Sequence, residues 1–184
     1  MQPEGALWHD FLQLYAHAAQ SVPENTRLGV ENVHKLRGEA LDENRGFGYT
    51  PDEICAWIRA VNAAVGRQRV GHVLDVGHAG SSGAFSQQYP VGSWYRLMGQ
   101  KTVAYHIHQA VREPAGLTNH HPIENWFGPM INDTGFFHAW QQQVLNHVPI
   151  FLEIRGCEHY AKSIEAFDAL IRTSLPPLCQ FAHP

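Results

Sequence analysis

Four short apolar segments of this sequence each end on a residue type that binds metal ions. They end at Glu31, at Asp75 with His78 three residues later, at His106 and His108, and at Glu153. Carboxylates and imidazoles together make an oxygen and nitrogen ligand set for a divalent metal ion. Parallel strands present their carboxyl ends at one edge of a sheet, where ligands bind in βα architectures. The spacing therefore predicts a metal site at that edge.

The elements that must position these residues follow an α/β pattern, in which one helix precedes four βα units. Apolar residues at helical spacing, with a capping box at Thr50–Glu53, predict helices at 6–20, 50–65, 91–98, 134–146 and 160–173. Apolar β-type runs predict strands at 26–31, 70–76, 102–107 and 149–154. The remaining segments, 32–49, 79–90 and 109–133, read as loops, and the first of them is where a lid over the site would lie.

Length and composition indicate one globular domain, residues 1–184. The 44% hydrophobic and 16% charged content is ordinary for a folded protein. A net charge of −4 and an isoelectric point near 6.3 disfavour a nucleic-acid partner, which requires a basic surface. The 13 histidines crowd between His72 and His147, which favours a metal or acid/base site.

The cysteine content and the hydropathy of the sequence indicate the cellular compartment to expect. The 3 cysteines, Cys55, Cys157 and Cys179, form no CxxC pair, which argues against structural zinc and against a disulfide framework. The first residues lack the basic and apolar regions of a secretory leader, and no apolar run approaches membrane-spanning length. We therefore expect a cytoplasmic protein with no membrane partner.

Several short motifs occur together in a recognisable order. They are Val30–Asn32, Phe47–Glu53, Val73–Ala79, Tyr105–His108, His120–Ile123 and Phe151–Glu153. In this order and spacing they resemble the xylose isomerase-like TIM-barrel superfamily, over residues 26–156. That superfamily contains sugar phosphate isomerases and epimerases, hydroxypyruvate isomerases and DNA-repair enzymes of the endonuclease IV type.

The resemblance implies a metal held by Glu31, Asp75, His106 and Glu153, at the ends of the fifth to eighth strands of the barrel. His106 and His108 compete for one ligand position, because residues two apart on a strand share a face. We favour His106 and keep His108 as the alternative. The chain has Gln109 where many relatives carry aspartate.

The implied activity is that of an isomerase or epimerase acting on a small sugar or other hydroxy-carbonyl substrate through an enediolate. Glu31 and Glu153 would serve as acid and base on opposite sides of the substrate. One divalent ion, manganese, cobalt, zinc or magnesium, suits the ligand set. The candidate substrate-binding residues are His78, His108, Arg112 and His120. The resemblance also allows His78 as a ligand of a second metal.

Two alternatives remain open. The first is a metal-dependent phosphodiester hydrolase of the endonuclease IV type, which would need several metal ions. The second is a non-catalytic half-barrel, either a fragment or an assembly subunit. The number of bound metal ions separates isomerase from hydrolase. From the residues alone, Glu153 could also pair with Arg155, and Asp75 could cap the next turn.

The resemblance covers only the second half of a barrel. A complete barrel has eight strands and about 250 residues, so we expect a parallel (βα)4 half-barrel with an N-terminal helix. Open strand edges invite pairing, and the expected partner is a second copy or another chain that completes the barrel. The alternative is that helix 6–20 folds over the open face. The residues expected to face inward are Leu28, Val30, Leu74, Val103, Tyr105 and Leu152.

Overall fold

The computed structural model describes residues 6–34, 47–81, 84–114, 116–123 and 135–174. Helices α1 to α7 cover Ala6–Ser21, Pro51–Val65, Val76–Ser81, Ala84–Gln88, Val91–Met98, Gly135–Gln141 and Tyr160–Ser174. Strands β1 to β6 cover Leu28–Glu31, Val70–Asp75, Thr102–Ile107, Gln109–Glu113, Gly116–His121 and Ile150–Leu152.

The main sheet has the strand order β1-β2-β3-β6, and each neighbouring pair is parallel. In its register, Asp75 lies beside His106, and His106 lies beside Phe151. The carboxyl ends of all four strands therefore meet at one edge, as in one half of a (βα)8 barrel. The predicted α/β class and the four parallel strands are confirmed.

Helix α2 shows how local sequence fixes these elements. Thr50 accepts a hydrogen bond from the backbone N–H of Glu53, whose carboxylate accepts one from the backbone N–H of Thr50. Pro51 occupies the first turn, where its missing N–H is not needed. The helix ends at Gly66 in the left-handed conformation, φ 77°. The predicted capping box is confirmed.

The inward-facing set expected from the sequence is wrong for all but Val103. Leu74 and Tyr105 are fully buried, and the Tyr105 ring packs edge-on against Phe136 in the helix layer. Side chains alternate along a strand, so positions next to the candidate ligands Asp75 and His106 face the helices. Five of the six residues predicted to face inward therefore belong to, or pack against, the core on the helix side of the sheet: Leu28, Val30, Leu74, Tyr105 and Leu152.

The opposite, inner face carries small or half-exposed residues below the candidate ligands. A Cβ added to Gly71 would lie 2.3 Å from Val103 Cγ1, so Val103 occupies the space that a side chain at residue 71 would need. A register shift in the β2–β3 pair, where His72 lies opposite Thr102 and Val73 opposite Ala104, accompanies this close approach. Phe151 remains 55% exposed. The inner face is therefore apolar and open.

Helix α1 lies in the helix layer. The ring of Trp8 packs edge-on against Trp57 of α2, with centroids 4.6 Å apart. The buried guanidinium of Arg69 donates hydrogen bonds to the carbonyl of Ala19 in the last turn of α1 and to four carbonyls of the segment after it, those of Val22, Pro23, Glu24 and Thr26. This helix does not fold over the inner face, so that alternative is wrong.

Two predicted loops contain regular structure. The segment expected as a loop at 109–133 includes the antiparallel hairpin β4–β5, whose polar strands lack the apolar alternation on which strand prediction depends. The segment 79–90 includes parts of α3 and α4, helices too short for a helical period to be visible. Helix α6 ends at Gln141, short of the predicted residue 146, before Gln143 adopts a φ of 56°.

Some predictions fall outside the described residues. Most of the proposed lid, residues 35–46, and the segment 124–134 belong to this group. The assignment of residues 1–184 to one domain stays a prediction. Within the described part of the chain, no helix is both long and apolar enough to cross a membrane. The cytoplasmic compartment stays a prediction.

The buried ring of His72 predicts acid sensitivity. It stacks on Trp94 at a centroid distance of 5.7 Å, and burial lowers the pKa of His72 to about 3. The unfolded chain takes up this proton near pH 6.5, so the free energy of unfolding falls as the pH drops from about 6.5 towards 3. We expect this residue to account for about 3 kcal/mol of lost stability at pH 4.

Urea unfolding of wild type and His72→Phe between pH 4 and 7 tests this prediction. The variant should show a flatter pH profile, whereas His9→Gln, at an exposed residue of α1, should follow the wild type. Identical slopes for wild type and His72→Phe would contradict the prediction.

Candidate metal centre

One potential ligand atom from each of four residues converges at the carboxyl edge of the sheet. These atoms, from Glu31, Asp75, His106 and Glu153, all lie within 4.8 Å of one another. Glu31 ends β1, Asp75 ends β2, His106 lies in β3, and Glu153 follows β6. The four residues that the resemblance implies as ligands are thus brought together by the four parallel strands.

His106 sits between the two glutamates. Its Nδ1 atom is 2.9 Å from Glu153 Oε2 and 3.4 Å from Glu31 Oε2. A single ring nitrogen can donate one proton, so it cannot hydrogen-bond fully to both carboxylates. A cation between the three side chains could contact all of them at once.

Three of the four candidate ligand residues carry a buried polar atom that makes no well-formed hydrogen bond in the described structure: Asp75 Oδ2, His106 Nδ1 and Glu153 Oε2. Buried polar atoms nearly always make such bonds in folded proteins, whereas these lie only at ion-pair distances, 2.9 Å between His106 Nδ1 and Glu153 Oε2 and 3.5 Å between Asp75 Oδ2 and His78 Nδ1. Two carboxylate oxygens and one imidazole nitrogen in such a cluster form a ligand set for Mn²⁺, Co²⁺, Zn²⁺ or Mg²⁺. The residues present therefore fit a divalent metal ion.

The electrostatics of the group reflect its excess of carboxylates. Burial alone would raise the pKa of Glu31, but hydrogen bonds to the rings of His106 and His78 prevail and lower it to about 2. The pKa of His106 is raised, chiefly by its hydrogen bond to Glu31. The pKa of Glu153 is raised by burial and by the charge of Asp75. Three carboxylates thus lie close together, with only the rings of His78 and His106 to offer positive charge.

Asp75 is held in place from several directions. Its Oδ1 atom accepts a hydrogen bond of 2.7 Å from the backbone N–H of His78 and so caps the short helix α3. The side chain of Asn32 donates to the carbonyl of Asp75 and accepts from its N–H, at 2.9 Å each. Asp75 therefore caps α3, as the alternative reading of the sequence predicts, and is also a candidate ligand.

A second group of potential ligands shares Asp75. It contains Asp75, His78, His108 and His120, again with one atom from each within 4.8 Å of the others. The rings of His108 and His120 stack with centroids 4.4 Å apart, and that of His78 lies 5.5 Å from His108. His78 Nδ1 is 3.2 Å from Glu31 Oε1, which places His78 between the two groups.

The residues predicted to bind substrate occupy different depths. His78 and His120 lie beside the ligand group, where His120 Nε2 is 3.4 Å from Glu153 Oε1. Burial and the neighbouring His108 lower the pKa of His120 to about 4. His108 is fully buried behind Asp75. Arg112 lies in β4, but its side chain falls outside the described part of the structure.

Three site residues were not singled out from the sequence. Asn32 is fully buried and fixes the backbone of Asp75. The ring of His34 packs against His78 with centroids 4.6 Å apart. A Cβ on Gly77 would lie 2.0 Å from Cε1 of His108. The only signals in the sequence are the polar Asn32 directly after a strand-end ligand and the glycine in Asp75–His78.

Comparison with known proteins bears on the fold. The sequence matches no family model and no curated protein. Its structure is similar to the crystal structure of a "putative xylose isomerase" from Rhodospirillum rubrum ATCC 11170, with a TM-score of 0.58 and 19% sequence identity. The similarity covers 93% of this chain and 54% of the other. The chain therefore has a xylose isomerase-like fold and spans about half the length of this neighbour.

The contact of Gly77 with His108 predicts a large effect of one methyl group. Gly77→Ala forces the buried His108 ring to move and should lower the free energy of unfolding by about 1–3 kcal/mol. Gly92→Ala is the matched control, because nothing lies within 4 Å of a Cβ added there in α5. It should stabilise the helix by about 0.5–1 kcal/mol. Chemical denaturation of both variants decides, and equal effects would rule out the described packing.

Proposed function

We propose that this chain is the metal-binding half of an isomerase or epimerase that acts on a small sugar, sugar phosphate or other hydroxy-carbonyl compound. The observation that carries the proposal is the convergence of one potential ligand atom from each of Glu31, Asp75, His106 and Glu153 within 4.8 Å of one another. The half-barrel fold that the chain shares with a "putative xylose isomerase" supports the same reaction class.

The chemistry divides between the ion and the side chains. A divalent ion would be held by Glu31, Asp75, His106 and Glu153, and it would supply a Lewis acid for the carbonyl and hydroxyl oxygens of the substrate. Glu31 ends one outer strand of the sheet and Glu153 follows the other, so they approach the centre from opposite edges of the sheet. We assign proton removal and return to these two carboxylates. His78 beside Glu31 orients a substrate hydroxyl, with His108, Arg112 and His120 as the further predicted contacts.

We also propose that a second copy of the chain completes the barrel. The two open ends of the half-barrel both expose large apolar side chains, which supports this arrangement. At one end, α1 exposes Leu7, Phe11 and Leu14; at the other, β6 and α7 expose Phe151 and Ile164. A two-fold axis along the barrel would place the α1 end of one copy against the α7 end of the other. The edge strands β1 and β6 would then pair.

A second candidate function has one observation in its favour. The second ligand group, Asp75, His78, His108 and His120, offers room for another ion, and a multi-metal centre would favour the phosphodiester hydrolase. The net charge of −4 disfavours a DNA substrate. A non-catalytic half-barrel remains the third outcome for the experiments below.

The first test of this function is metal binding. We expect wild type to bind one Mn²⁺ per chain, and Asp75→Asn to bind it at least ~100-fold more weakly, because an anionic ligand is lost. Asp10→Asn, an exposed residue of α1, serves as the control and should bind as wild type does. If calorimetry finds the same negligible affinity in wild type and Asp75→Asn, no metal centre is assembled.

The second test joins assembly to activity. Light scattering should give twice the chain mass for wild type, and Phe151→Ser should shift it towards the monomer, because Phe151 loses apolar contact area. Leu97→Ser, at an exposed leucine of α5 that is 42% accessible, should leave the mass unchanged. The rate of solvent-proton incorporation into the carbon next to a sugar carbonyl, measured by NMR with Mn²⁺ present, should follow the dimer fraction.

Glu31→Gln and Glu153→Gln should each abolish this exchange, because each removes an acid/base group and a ligand charge. Cleavage of abasic-site DNA with no exchange in any sugar would transfer the assignment to the hydrolase. A stable dimer that does neither would identify a non-catalytic subunit. A monomer with a cooperative melt would refute closure by a second copy.

A further inference from the structure

His108 has a protein partner on each ring nitrogen. The backbone N–H of His120 donates a hydrogen bond of 3.0 Å to His108 Nδ1. A backbone amide can only donate, so Nδ1 must carry the lone pair. In the neutral ring the proton is then on Nε2, which lies 3.0 Å from Asp75 Oδ1. The backbone of β5 thereby fixes which nitrogen of His108 donates to the carboxylate.

We propose that His108 is a positioning residue for Asp75 rather than a substrate or metal contact. Its Nε2–H holds Oδ1 of the carboxylate and leaves Oδ2 directed at the ion between Glu31, His106 and Glu153. The inference rests on the proposed metal centre, and it reassigns one residue that the sequence placed among the substrate contacts.

The two carboxylate oxygens of Asp75 differ in the hydrogen bonds that they accept. Oδ1 accepts from the backbone N–H of His78 and from His108, at 2.7 and 3.0 Å. Oδ2 is buried and accepts no well-formed hydrogen bond within the described structure, and its nearest charged neighbour is His78 Nδ1 at 3.5 Å. The carboxylate is therefore prepared to bind an ion through one oxygen, and rotation about its terminal bond would break two hydrogen bonds in a buried site.

The ring of His108 is itself tightly held. It is fully buried, it stacks on His120, and Cα of Gly77 approaches so closely that no side chain fits between them. His120 adopts a φ of 64°, a conformation uncommon for a residue with a side chain. Such backbone strain persists where the surrounding contacts require it, and here it accompanies the N–H of His120 that reaches His108.

This arrangement has a consequence for the number of ions. His108 belongs to the second ligand group, but its two nitrogens are already used by His120 and Asp75. An ion in that group would have to displace one of these hydrogen bonds. The single-ion centre is therefore the arrangement that the network favours.

Two substitutions separate positioning from packing. In His108→Gln, the side-chain amide can still donate to Asp75 and accept from the N–H of His120. In His108→Leu, both hydrogen bonds are lost. Calorimetric titration with Mn²⁺ should show an affinity about 10–100-fold weaker for the leucine variant and within a few-fold of wild type for the glutamine variant. His9→Leu, at an exposed helix position, is the control and should bind as wild type does.

A spectroscopic measurement on the metal-free wild type tests the network without any variant. Nitrogen-15 shifts of the His108 ring should report protonated Nε2 and unprotonated Nδ1. The opposite tautomer, equal Mn²⁺ affinity in His108→Leu and wild type, or two ions bound per chain would each overturn the proposal. If wild type binds no Mn²⁺ but the tautomer is as expected, the metal function fails and the hydrogen-bond network stands.

Discussion

The carboxylate of Asp75 is the interaction on which the rest of the site depends. One oxygen caps α3 and accepts a hydrogen bond from His108, while the side-chain amide of Asn32 bonds the backbone C=O and N–H of Asp75. These contacts bring together β1, β2, β3 and the β4–β5 hairpin at a single fully buried side chain. Because its first oxygen is satisfied, the second is left to face Glu31, His106 and Glu153. A ligand position is thereby built from hydrogen bonds that also hold the fold together.

The close approach of these carboxylates requires positive charge among them. Three carboxylates within a few ångströms repel one another unless a positive charge lies between them. The raised pKa values of His78 and His106 supply part of that charge in the metal-free protein. A divalent ion would supply more of it and would contact the buried atoms that make no well-formed hydrogen bond. The same residues therefore form an ion-paired cluster without metal and are candidate ligands for one.

The sheet separates stability from function by alternation along its strands. The face towards the helices holds the apolar core, with Leu74, Tyr105 and Ile107 fully buried. The opposite face carries the ligands at the carboxyl edge, with glycine and valine below them. Its apolar part, including Phe151, is only half covered, and the neighbour of the same fold is about twice as long. This half-open face motivates the proposal of a barrel closed by a second copy.

The sequence by itself determined the parallel α/β arrangement, the capped helix α2 and the strand-end positions of the candidate ligands, because apolar runs, capping motifs and strand ends are local patterns. The preference for His106 over His108 came from the family resemblance. Only the tertiary structure decided the contacts of Asn32, His34, Gly77 and His108. Asn32 meets Asp75 across 43 residues and His108 meets it across 33, and no local pattern encodes such contacts. The hairpin escaped prediction because its polar strands show no apolar period. The sequence-based prediction assigned most of the apolar strand residues to the wrong face of the sheet. Alternation along a strand defines two faces, but only the packing of the helices decides which of them is the core.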